Sequence, residues 1–160
     1  MNAISKLIAV STLFLGLSFS SFAQSTKYKC MLQMANYSGE GAYIVVSLIN
    51  PKGDYEKTMY IMGDDKKWYK TLKEWHKFQS KKQANLSAIT GASVTSGDRS
   101  ITTFEIENSK INTGYKLRFE SAVEDQKYHV TDAEVALTTD ALANKTEGKG
   151  YIRYVRFSKL

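Results

Sequence analysis

Residues 42–49 read Ala-Tyr-Ile-Val-Val-Ser-Leu-Ile, a nearly unbroken apolar run rich in β-branched side chains. Such a run suits a pleated, buried surface and predicts a central strand. Asn50-Pro51-Lys52-Gly53-Asp54 comes next. Proline presets φ and glycine accepts positive φ, so this segment is a turn. Residues 55–62 are then the returning strand of a hairpin. Further strands are predicted at 28–34, 100–107, 115–122, 128–137 and 151–158. Turn signals separate them at Asn112-Thr113-Gly114, Glu124-Asp125 and 144–150. Regularly spaced strands with turns between them predict a mainly all-β domain, an antiparallel β-sandwich of immunoglobulin-like type.

One segment has a different period. Gly63-Asp64-Asp65 ends the hairpin, and Trp68, Leu72, Trp75 and Phe78 then recur at helical spacing. Asp64 or Asp65 is placed to cap the start. The spacing predicts one short amphipathic helix over 66–79. Lys66, Lys70, Lys73 and Lys77 repeat on another face of it. That face is solvated if the helix simply docks on the sandwich. It also concentrates positive charge toward an anionic partner. Residues 81–97, rich in Ser, Thr, Ala and Gly, predict an exposed loop that is long for a compact domain.

The N-terminus carries a secretory signal. Residues 1–6 hold one positive charge, 7–22 are apolar or small, and Ser21-Phe22-Ala23 presents small residues where a signal peptidase reads them. The apolar run is shorter than the ~20 residues of a spanning helix. Residues 1–23 are therefore read as a cleaved signal peptide and 24–160 as a single domain exported to the periplasm. The formal charge of +6 is spread over the chain with the acidic residues. A nucleic-acid binder concentrates its charge on one face, so nucleic acid is not the expected partner. No second apolar segment predicts a membrane span. Cys30 is the single cysteine, which excludes an internal disulfide and a cysteine-rich metal site, and it reads as a buried small hydrophobe.

Enzymatic chemistry finds little support. His76 and His129 are the only histidines, neither stands in a metal-ligand spacing, and no nucleophile motif accompanies them. The expectation is a protein that is not an enzyme and holds no metal. A cleft with a perturbed carboxylate beside His76 would revive a hydrolase.

The remaining motif is Ser87-Ala88-Ile89-Thr90-Gly91-Ala92-Ser93. It is a hydroxyl-rich stretch with minimal side chains at Gly91 and Ala92, able to bring a hydroxyl into another enzyme's active site without a clash. It resembles the attachment site of covalently flavinylated bacterial proteins. There an acidic residue leads, two variable residues follow, then Ser or Thr, Gly, Ala and the acceptor Thr or Ser. Thr90-Gly91-Ala92-Ser93 matches the second half with Ser93 as acceptor, whereas Ser87 stands where the motif has Asp. The run 54–63, the Trp-containing 67–75, Thr90-Gly91-Ala92-Ser93 and Gly150-Tyr151-Ile152-Arg153-Tyr154-Val155 together resemble the periplasmic family known as domain of unknown function 2271. The resemblance covers most of residues 24–160. It implies covalent FMN on Ser93, with Thr90, Gly91 and Ala92 around it and Trp68 or Trp75 packing on the ring. It implies an FAD:protein FMN transferase and a PepSY-type membrane redox protein as partners, and a place in extracytoplasmic electron transfer. A binding module without cofactor is the alternative that the same residues leave open.

The signal peptide is checked by N-terminal mass analysis of protein from an exporting host. The chain should begin at Gln24 or within a residue or two. Intact Met1 on membrane-bound protein would show an anchor instead.

Overall fold

The structure is a computed structural model that describes residues 24–82 and 85–160. The signal-peptide reading of 1–23 lies outside the described residues. Among the described residues, nine strands form two sheets. The first has the order β5-β1-β9-β8, from β5 (Arg99–Glu107), β1 (Ser25–Met34), β9 (Ile152–Lys159) and β8 (Lys145–Glu147). The second has the order β4-β3-β2-β6-β7, from β4 (Thr90–Gly91), β3 (Tyr55–Met62), β2 (Tyr43–Ile49), β6 (Lys116–Ala122) and β7 (Tyr128–Ala136). All pairings are antiparallel except β3 with β4. The result is an all-β sandwich, as the strand pattern predicts, with one mixed sheet.

The 42–49 run lies at the centre of the five-stranded sheet. Ile44, Val46 and Leu48 point into the space between the sheets and meet Leu32, Phe104 and Val155 of the four-stranded sheet in one core. Val45 points the other way, into a second apolar cluster with Ile61, Leu72 and Trp75. The sheet is thus buried on both faces, which is why the strand reads as continuous rather than alternating. Cys30 is 1% exposed in the main core, and burial pushes its thiol well above the usual range. It is an inert apolar residue, as expected.

The 50–54 turn forms as its chemistry dictates. The Asn50 N–H donates to the Asp54 carbonyl (2.9 Å), the Asn50 side chain accepts from the Lys52 and Asp54 amides, and Gly53 takes φ +91°.

A second tie links the sheets. Asp132 on β7 is fully buried. Its carboxylate accepts from the backbone amides of Lys149, Gly150, Tyr151 and Ile152, which lead into β9, and from the Ser121 hydroxyl. Replacing water by this many donors makes a buried carboxylate tolerable.

Three expectations need correction. The helix over 66–79 is two pieces: a 3₁₀ segment, Lys66–Thr71, capped by Asp65, and α1, Lys73–Lys82. The break is at Leu72 (φ −84°, ψ 67°), which drops into the outer cluster. The tighter 3₁₀ turn changes which side chain points inward. Tyr69 is buried, while Trp68 is only half-buried. The four lysines are exposed, as expected.

The 81–97 segment is not a plain loop. It holds a 3₁₀ turn (Ser87–Ile89) and β4, and a bridge from Val94 to Ala42 buries Val94 in the main core. The 144–150 turn contains β8, and it is preceded by α2 (Thr139–Ala143), which Thr138 caps. Each of these elements is too short to show a period.

Candidate functional site

The outer face of the five-stranded sheet needs a cover, and Glu120 fastens one to it. Glu120 on β6 is fully buried beneath α1. One carboxylate oxygen accepts from the Tyr55 hydroxyl (2.6 Å). The other accepts from the Tyr128 hydroxyl and from the Trp75 amide (3.3 Å). Tyr128 in turn accepts from the Glu74 amide (3.0 Å). The carboxylate and its tyrosine therefore take up two of the donors that the first turn of a helix leaves unpaired. Burial pushes the Glu120 carboxyl above its ordinary range, against the three donors that pull it down. Burial and the neighbouring carboxylate push both phenols up as well. Trp75 completes the attachment. It is enclosed, its ring meets Tyr69 edge-on at 5.3 Å, and its indole N–H donates to Thr58 Oγ1 at 2.9 Å.

Beyond the end of β3, residues 92–94 take its place beside the start of β2. The Ala42 amide donates to the Val94 carbonyl (2.8 Å) and the Val94 amide returns the bond (3.1 Å). On the other side the Gly63 amide donates to the Gly91 carbonyl (2.7 Å). Ala92 and Ser93 are thus held at both ends and exposed between them. Val94 and Ala42 face the main core, so Ser93 and Gly41 lie on the outer side, where α1 sits. A Cβ on Gly41 would stand 2.6 Å from the Ser93 Oγ. Gly41 also lines a small cleft with Tyr43, Trp68, Thr71, Ala122 and Glu124. Gly63 has φ +136°, and a side chain there would strike the Tyr43 ring. Two segments far apart in sequence, around Gly41 and around Ser93, therefore meet at one hydroxyl.

Gly41 borders both Ser93 and the small cleft that Trp68 lines. No hydrogen bond holds the Ser93 hydroxyl among the described residues. Thr90 has a structural part: its hydroxyl donates to the Leu86 carbonyl (2.8 Å) and closes the 3₁₀ turn. Gly91 leaves room for the Tyr60 hydroxyl, which a Cβ would meet at 2.5 Å. Ser87 is exposed at the head of the turn, its amide bonded to the Asn85 side chain (3.0 Å). Trp75 is a correction. It has no exposed face to offer a ring, because the break at Leu72 commits it to the outer cluster. His76 is exposed, and His129 packs edge-on against Tyr151. Among the described residues no three of His, Cys, Asp and Glu are grouped to hold a metal ion. Gly41, Tyr43 and Glu120 were not singled out from sequence, and Gly63 was read as a break and not as part of a site. Only Gly63 carried a signal, as the residue that breaks the hairpin pattern.

A family model described as a predicted periplasmic protein (DUF2271) matches residues 25–154. No curated protein and no solved structure matches the chain. Among the described residues no helix is long and apolar enough to cross a membrane.

The Glu120 attachment sets measurable costs. In denaturant titrations, Trp75→Ala should destabilise by about 3–5 kcal/mol. Glu120→Gln, which turns an amide donor toward three donors, should cost about 1–3 kcal/mol. Lys70→Ala, fully in solvent, should stay within about 0.5 kcal/mol. Because the folded carboxyl is raised, its contribution is fullest below the ordinary glutamate range and declines as pH rises through the folded value. The deficit of Glu120→Gln against wild type should therefore narrow with rising pH. A deficit that widens, or a Lys70→Ala cost equal to that of Trp75→Ala, contradicts this description.

Proposed function

The chain belongs to the DUF2271 family, and on that footing we propose that it is an exported, non-catalytic periplasmic carrier of FMN attached to Ser93. The observation that carries the reading is the state of that hydroxyl. It is exposed, has no hydrogen-bond partner among the described residues, and is held between two backbone pairings next to the small residues Gly41, Gly91 and Ala92. An enzyme that modifies a serine needs this combination: reach, freedom of the oxygen and a fixed backbone.

In the proposed reaction an FAD:protein FMN transferase supplies the flavin. Ser93 Oγ attacks the phosphorus on the FMN side of the FAD pyrophosphate. The bond to AMP breaks, AMP leaves, and the serine proton passes to a base of the transferase. The product is a phosphoester. When bound, the isoalloxazine supplies redox chemistry in one- and two-electron steps. This chain's part is to hold and orient it. Trp68 and Tyr43 line a cleft on the far side of Gly41 from the attachment point. The cleft between them has room for only about 20 Å³, far below the ~300 Å³ at which small-molecule pockets begin. A ring on Ser93 therefore stays outside the fold, open to a redox partner. A PepSY-type membrane protein fits that part.

The test is peptide mass analysis across residues 85–99 after co-expression with an active transferase in an exporting host. The wild-type peptide should gain the mass of one FMN. Ser93→Ala should abolish the gain, Thr95→Ala should keep it, and Ser93→Thr should keep it. Gly41→Ala should reduce it by crowding the Ser93 oxygen. An unmodified wild-type peptide would overturn the proposal and leave a binding module without cofactor.

A further inference from the structure

A strand at the edge of a sheet presents unpaired backbone groups, and proteins blunt such edges by shortness, bulges, proline, lysine or a covering segment. Three of the four edges here are blunted. β8 is three residues long and β4 is two. β7 is longer, but its register with β6 shifts between Phe119 and Ser121, and the Lys149 amide caps it by donating to the Asp132 carbonyl (2.8 Å).

β5 is different. It is nine residues long, pairs with β1 without a register shift, and contains neither proline nor lysine. Thr103, Phe104 and Glu105 line one side of a groove of about 390 Å³, with Met59, Leu86 and Ile89 among the residues across it. Ile101, 59% exposed, is one of two large apolar side chains left in solvent among the described residues.

The two ends of this edge carry opposite charge, with Arg99 bonded to the neutral Gln33 side chain (3.2 Å) and Glu107 in a long ion pair with Lys110 (3.9 Å). Arg99, Ile101, Thr103, Glu105 and Glu107 share the outward face, with positive charge at one end and negative at the other. We propose that β5 is a homodimer interface, in which a second copy of this chain adds its β5 antiparallel about a two-fold axis through Thr103. Full overlap of the nine residues sets that register. Arg99 then stands opposite the partner's Glu107, Ile101 opposite the partner's Glu105, and Thr103 opposite its own copy. Opposite charges and Thr–Thr pairs directly across an antiparallel ladder are favourable, and like charges there are not. The contact is isologous and closes at two subunits. It joins two four-stranded sheets into one of eight strands. Ser93 lies on the outer face of the other sheet, so both acceptor sites stay free.

Sedimentation equilibrium of the purified protein tests this, with circular dichroism as the check on folding. The wild type should be a dimer in reversible exchange with monomer. Thr103→Pro should yield monomer, since proline removes a ladder donor that a free edge does not need. Arg99→Glu and Glu107→Arg should each weaken the dimer roughly tenfold, because the two-fold axis doubles each repulsion. The exchange Arg99→Glu with Glu107→Arg should restore wild-type affinity. Restoration cannot come from a general loss of folding, so the exchange decides the matter even if Thr103→Pro unfolds. A wild type that stays monomeric at every concentration would overturn the proposal. So would a dimer indifferent to both charge reversals, or a charge exchange that fails to restore it.

Discussion

The Glu120 carboxylate is the interaction on which the rest of this molecule depends. A sheet that is apolar on both faces cannot stand half in water, so its outer face must be covered. Burying a carboxylate there costs several kcal/mol unless its oxygens are fully engaged. The Tyr55 and Tyr128 hydroxyls and the Trp75 amide offset much of that cost, though burial still holds the carboxyl above its ordinary range. The same contacts fix where α1 begins and which way it faces. Apolar burial alone would hold α1 down without specifying its position, since it is non-directional. The carboxylate supplies direction.

That fixed cover shapes the site. Because α1 is anchored at its first turn, the 3₁₀ segment before it must reach back to the end of β3, and it carries Trp68 to the side of the sheet where Gly41 and Ser93 emerge. Gly63 lets the chain leave β3 at φ +136° while its amide holds Gly91. Ser93 is therefore positioned by the five-stranded sheet, through β2, and not by the segment it belongs to. The Asp132 tie does comparable work at the other end of the molecule, holding the chain's approach to β9 against β7.

Much of this was legible in the sequence. The continuous run at 42–49 announced a buried central strand, and the chemistry of 50–54 announced its hairpin. The loop motif drew attention to Ser93 through its small neighbours, and the family resemblance held over residues 25–154. What escaped was whatever depends on contacts between distant segments. Helical spacing placed Trp68 and Trp75 together, but the break at Leu72 separates them, and periodicity has no means of registering a change from one helix type to another. Thr90-Gly91 forms a strand without any alternation of its own, since its partner β3 supplies the pairing. Glu120 is an acidic residue inside a strand pattern. Nothing in its neighbours reveals that Tyr55 and Tyr128 face it.

The approach of Ser93 to Trp68 across Gly41 can be measured without any cofactor. Cys30 is buried and its thiol pushed upward, so in Ser93→Cys the new thiol reacts with bimane while the native one does not. Bimane emission is quenched by a tryptophan within contact. The structure predicts strong quenching in Ser93→Cys and its relief when Trp68→Phe is added, with Trp75 left in place. Emission that is bright from the start, or unchanged by Trp68→Phe, would show that Ser93 and Trp68 do not both border Gly41.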